Sequence, residues 1–138
     1  MTRNLNPLPA KNAAAKAYNT FNLVSFTIGT KTSNTINVAA QLQDARGQNI
    51  AQIAHAKVYL SDNADGSTLT ATATTSSIAI GTNGVILYTP VSDKMVEVIS
   101  NSSGQFDLNI IQTASPTTYY MVVVLPDGSI VVSSAITF

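Results

Sequence analysis

Any acid–base chemistry in this chain would have to start from His55, the only histidine in a sequence without cysteine. General acid–base work usually needs an imidazole held by a carboxylate beside a nucleophile. His55 sits between Ala54 and Ala56 and reads as a strand-edge residue. Zinc and redox-metal sites need His and Cys at set spacings. No His-x-His, Cys-x-x-Cys or His-Glu-x-x-His occurs. Glu97 is the only glutamate, and nothing in the sequence pairs it with an Asp, as a glycoside hydrolase would require. Asp62-Asn63-Ala64-Asp65-Gly66-Ser67 resembles the opening of a calcium loop, but position twelve, where such a loop carries Glu, is Ala73. The segment reads as an Asx-type turn, with a weak Ca²⁺ site shared with another loop as the alternative. The glycines form neither a phosphate cradle nor a dinucleotide fingerprint. Asn101-Ser102-Ser103 matches a glycosylation sequon and reads as a turn. The expectation is a non-enzyme with no cofactor and no metal.

The elements that would position these residues are strands. Residues 22–29 (NLVSFTIG) place Val24, Phe26 and Ile28 on one face. Residues 36–42 alternate Ile36, Val38, Ala40 and Leu42 with Asn37, Ala39 and Gln41, the period of a half-buried strand. Further strands are predicted over 56–60, 68–74, 85–89, 96–100, 105–112, 118–125 and 130–138. Turn clusters at 44–47, 62–66, 81–84, 101–104 and 126–128 separate most of them. No helical period is present past residue 20. In 118–125 both faces are apolar, which marks a central strand. On the return strand, Ile130, Val132, Ile136 and Phe138 are expected on one face, with Val131, Ser133, Ala135 and Thr137 on the other. Residues 67–80 (STLTATATTSSIAI) offer little to bury and no charge. They read either as a long mobile loop or edge strand, or as a flat polar edge that pairs with a neighbouring chain.

The 138 residues suffice for one domain with a core that needs no disulfide. Charged residues make up 10% of the chain against 45% hydrophobic, so the surface must be polar yet largely uncharged. Such a surface repels its own copies weakly, which favours association. Residues 1–31 carry Arg3, Lys11, Lys16 and Lys31 and no acid, while the remainder carries the same excess of negative charge. Four scattered cations without aromatic partners are too few for nucleic acid. No segment is apolar for the roughly 18 residues of a membrane helix, and Arg3, Pro7 and Pro9 precede any apolar stretch. The chain is therefore expected to be soluble and not exported through a signal peptide. Pro7 and Pro9 oppose early regular structure, and 11–18 (KNAAAKAY) holds at most two turns of helix. The opening is either a disordered tail or an arm that a partner orders.

Certain runs resemble a known family. VAAQLQDARGQNI (38–50), NSSGQFDLNI (101–110) and TTYYMVVVLPDG (117–128) resemble strands and turns of bacterial immunoglobulin-like domains of the invasin and intimin type. Tyr119 or Tyr120 stands where such sandwiches carry a tyrosine corner. VYLSDNADG (58–66), GTNGVIL (81–87), GQFDLNI and VVSSAITF (131–138) resemble, more specifically, short structural proteins of tailed bacteriophages, some of which decorate the capsid. The similarity spans about residues 36–138. It departs from the adhesins in having no tandem repeat and no export segment.

The resemblance implies an all-β, immunoglobulin-like β-sandwich with an extended N-terminal arm: arm 1–20, domain 21–138, core sandwich about 32–138. It implies a virion structural protein, a decoration or cement protein that binds the outside of an assembled phage head, made in the host cytoplasm. The partner would be the major capsid protein or another virion protein. The chain would form a dimer or trimer, without nucleic acid or membrane. Arg3, Lys11 and Lys16, with Leu5, Leu8, Tyr18 and Phe21 as apolar anchors, are the expected partner-binding residues. The alternative is a receptor- or carbohydrate-binding module of a phage tail, fibre or bacterial surface protein, using Tyr88, Asn63 and Asp65.

Overall fold

Strict alternation makes the second strand of a computed structural model that describes residues 21–138. In β2 (Thr35–Gln43), Ile36, Val38, Ala40 and Leu42 are buried and the residues between them are half-buried. β1 (Leu23–Ile28) pairs antiparallel with β2 from Leu23↔Gln43 to Ile28↔Val38 without a break. On the other flank of β2 lies β7 (Gln105–Ile111), and beyond it the two-residue β4 (Ala79–Ile80). The second sheet is built on β3 (His55–Ser61), held between β6 (Met95–Ile99) and β8 (Thr118–Val124). β5 (Val85–Val91) pairs with β6 and forms one edge. The other edge is shared by β9 (Ile130–Val132) and β10 (Ile136–Thr137), both paired with β8.

The four-stranded order β1-β2-β7-β4 and the run β10-β8-β3 reproduce the A-B-E-D and G-F-C orders of an immunoglobulin-like sandwich. The β5–β6 hairpin widens the second sheet beyond β3. Among the described residues there is no helix. The fold is an all-β sandwich of two antiparallel sheets.

The core lies between the inner faces. Val38, Leu42, Leu108 and Ile110 come from one sheet and Val58, Val98, Met121 and Val123 from the other. β8 is central, as its two apolar faces require. Tyr119 stands at its start, where a tyrosine corner would fall, but its hydroxyl donates to the distant Ala73 carbonyl (3.2 Å) and accepts from Gln112 Nε2 (2.6 Å). Its ring meets Phe138 edge-on at 6.1 Å.

Three expectations need correction. Residues 68–74 are not a strand. Thr70 and Thr74 are buried, and their hydroxyls bond local backbone carbonyls, a local competition that breaks up a ladder. Asp62 accepts from the Thr70 hydroxyl and from the Ala71 amide, which pins the middle of the segment. The return strand does not keep one phase. Val131 packs on the core while Ile130 is exposed, and after Ser134 the inward residues are Ile136 and Phe138. The slip falls where Ser133 turns inward and its hydroxyl accepts from Met121 N (2.9 Å). Phe21, expected as a partner-binding anchor, is 2% exposed and belongs to the core, because burying a ring in its own sandwich leaves nothing for a partner to grip.

Candidate functional site

The other residues expected to bind a partner, Arg3, Leu5, Leu8, Lys11, Lys16 and Tyr18, lie outside the described residues. Within them, the outer face of the second sheet stands out. Strand register fixes what this face carries. Val58 and Val98 point inward, so His55, Lys57 and Tyr59 on β3 and Met95, Glu97 and Ile99 on β6 point outward. β5 adds Val85 opposite Ile99 and Tyr88 opposite Glu97. A register break between Ile86 and Tyr88 inserts Leu87 as an extra residue, the mark of a β-bulge. The result is an apolar edge, with Val85 58%, Leu87 54% and Tyr88 61% exposed. Ile53, in the loop before β3, and Ile130 on β9, at the opposite edge, are also exposed.

At the centre of the face, His55 Nε2 lies 2.8 Å from Glu97 Oε1, and Lys57 is the cross-strand neighbour of Glu97. The pair was not visible in the sequence, since 42 residues separate its members and only the β3–β6 register brings them together. The face therefore carries a small polar cluster at its centre and exposed apolar side chains along its β5 edge.

One corner of the same face is closed. The Tyr59 hydroxyl donates to Gly66 O (2.6 Å), drawing the 62–66 turn down over Val122 and Val132. Gly66 has φ +69°, and a Cβ there would press on Val132, Ile130 and Val122. Burial holds the Tyr59 phenol above its ordinary range, with the Asp65 charge adding to it. In the turn itself, Asp65 accepts from Ser67 N (3.0 Å) and Asn63 Nδ2 reaches the Ser67 and Thr68 hydroxyls. The expected Asx-type turn is present. Tyr88 lies at the opposite edge, separated from this turn by β6 and β3, so Tyr88, Asn63 and Asp65 do not form one constellation.

The outer face of the first sheet is different in kind. Asn37, Gln41, Gln105 and Asn109 line it with amides, and a shallow depression of about 150 Å³ lies among Ser25, Thr27, Ala39 and Gln41. Small-molecule pockets usually begin near ~300 Å³. Beside it, Asp107 is buried at 5% exposure. It accepts from Thr82 N (2.9 Å), Asn83 N (2.6 Å) and Asn37 Nδ2 (2.7 Å). Burial alone would raise this carboxyl, but the Thr82, Asn37 and Asn83 donors outweigh it and hold Asp107 below the usual carboxylate range. A methyl on Gly81 would overlap Asp107 Oδ2, so the glycine makes room for the carboxylate. The acid ties the 81–83 turn to β7 and is structural. Among the described residues no group of three or more His, Cys, Asp or Glu is set to hold a metal.

Fold and surface together define an all-β sandwich module with one amide-lined and one apolar-edged face. No protein-family model matches the chain, and no curated protein matches it.

Proposed function

We propose that this chain is a virion structural protein, a decoration protein that binds the outer surface of an assembled phage head. The observation that carries the reading is the exposed Val85–Leu87–Tyr88 edge on a sandwich with so few charges. Exposed apolar residues in a contiguous set mark a protein-binding surface, and aromatic residues at the centre of such sets commonly supply most of the binding energy. The basic opening segment, with Arg3, Lys11 and Lys16, adds a second contact that does not draw on Phe21. The virion assignment rests on the resemblance of 58–66, 81–87 and 131–138 to phage structural proteins. The contact is non-covalent and gains strength from many copies on a symmetric lattice.

Co-sedimentation with undecorated phage heads tests the reading. The parent chain should pellet with heads. L87D/Y88A should lose at least tenfold in affinity, about 1.4 kcal/mol, while keeping its β-sheet circular dichroism. Removing residues 1–20, but not Phe21, should leave a folded domain with weakened attachment. A parent chain that ignores heads and binds a glycan array instead would overturn the proposal in favour of a carbohydrate-binding module.

A further inference from the structure

Every sheet edge among the described residues except one carries a feature that discourages pairing. β4 and β10 are two residues long, β9 is three, and β5 contains Pro90 and two register breaks. Short strands, prolines and bulges are the devices by which edges are kept from pairing. β1 has none of them. It is six residues long, LVSFTI, without charge or proline, and in unbroken register with β2.

The register also fixes which backbone groups β1 leaves open. Gly29 N donates to Asn37 O, so Gly29, Thr27, Ser25 and Leu23 direct their amides and carbonyls at β2. The intervening residues Val24, Phe26 and Ile28 direct theirs away from the sheet. No partner for them is present among the described residues.

This set of open groups is self-complementary. Placing Phe26 on a two-fold axis pairs Val24 of one copy with Ile28 of the other, at both ends, and Phe26 with Phe26. Each pair exchanges both N–H···O bonds, about six in total. The side chains agree with the backbone. Val24, Phe26 and Ile28 point toward the core, but Phe26 and Ile28 are only partly buried. Across the axis they would meet Phe26 and Val24 of the second copy and close the open flank of the core. On the outer face the axis sets Ser25 against Thr27, two small uncharged residues.

We propose that β1 is the homodimerisation edge of this protein. Two copies join through antiparallel β1–β1 pairing centred on Phe26, giving one continuous eight-stranded sheet. The occupant is a second copy because β1 is complementary to itself about Phe26: all its open groups pair in register, and its uncharged side chains meet without like charges. A single strand edge buries less than the ~1,000 Å² of a durable interface, so the association is concentration-dependent. The inference stands independently of shell binding.

Sedimentation of the full chain from 1 µM upward should show a reversible monomer–dimer equilibrium. Backbone amides of Val24, Phe26 and Ile28 should gain hydrogen-exchange protection as the dimer fills. S25K/T27K places like charges against each other across the axis and should weaken the dimer at least tenfold, with an unchanged melting temperature for the monomer. S25K/T27E places opposite charges against each other and should restore it. A chain that stays monomeric at millimolar concentration overturns the proposal, including the case in which residues 1–20 of the same chain cover the edge. So does a dimer indifferent to S25K/T27K, or one that S25K/T27E fails to rescue.

Discussion

Replacing Asp107 with asparagine removes one charge and two lone pairs from a site built around them. Three donors converge on the carboxylate, and Thr82 N is shared between its two oxygens. An asparagine oxygen can keep the bonds from Thr82 and Asn83. Its amide nitrogen then faces Asn37 Nδ2, donor against donor. Turning the Asn37 amide over would restore that contact only by giving up its 2.8 Å bond to Asn109 Oδ1. The net loss is one hydrogen bond and the charge assistance of the others, about 1.5–3 kcal/mol. D107A leaves the Thr82 and Asn83 amides unpaired in a buried site and Asn37 Nδ2 with only Asn109 Oδ1, and should cost more, about 3–5 kcal/mol. Urea unfolding at pH 7 measures both, and with a slope near ~1–3 kcal/mol/M the midpoint of D107N should fall by about 1 M. The pH dependence supplies the control. Asp107 is depressed in the folded state, so its contribution is complete above the unfolded value near ~3.9 and is lost as pH falls through the folded value. The difference between parent and D107N should therefore shrink on acidification. A D107N within ~0.5 kcal/mol of the parent at pH 7, or a gap that persists in strong acid, would refute the reasoning.

Other predictions concern the frame around that site. V123D should leave no cooperative unfolding transition at 25 °C, because it buries an unpaired charge in the central strand β8. G104A should lower stability by about 2 kcal/mol or more in the same urea assay, since φ is +71° there and the new methyl would overlap the Ile50 carbonyl. Y119F should lose about 1–2 kcal/mol by thermal melting, as Gln112 Nε2 and Ala73 O each lose the Tyr119 hydroxyl and keep only the bond between them. Asp62 is held low chiefly by the Ala71 amide and the Thr70 hydroxyl, so proteolysis of the 68–74 segment should accelerate only as pH falls through the folded value of that carboxyl.

What could be read from the sequence was what alternation encodes. Ile36, Val38, Ala40 and Leu42 repeat with period two, and all four are buried as that pattern requires. The central place of β8 followed from its two apolar faces. Period alone failed where a polar side chain substituted for a ladder partner. Thr70 and Thr74 lie in a segment with the composition of a strand, but their hydroxyls close local bonds instead. It failed again at Ser133–Ala135, where the chain changes phase between two pairings with the same strand. Phe21 was misread because an aromatic next to a basic segment carries no local sign of which side will bury it. The apolar surface was legible only in part. The run VIL at 85–87 reads equally as a buried strand, and only the bulge that ejects Leu87 and the edge position of β5 make it a surface. The His55–Glu97 pair and the donors to Asp107 depend on register between distant segments, which no window of sequence contains.

The proposed dimer and the proposed shell contact meet in one geometric consequence. The two-fold axis of an antiparallel strand pair is perpendicular to the merged sheet. Both copies of the second sheet therefore lie on the same side, with their outer faces turned the same way. β5 packs beside β4, on the flank away from β1, so the two Val85–Leu87–Tyr88 edges lie far apart, one at each end of the dimer. The same patch then acts twice from a single rigid body. The second contact forms at the effective concentration set by the first, a gain that can reach ~10²–10⁴-fold when the spacing fits the lattice. S25K/T27K alters no residue of the β5 patch, yet it should shorten residence on heads by at least tenfold, and S25K/T27E should recover it. Residence measured by dilution that is unchanged in S25K/T27K would mean that each domain binds alone, and the coupling between the two surfaces would fail even if each surface were real.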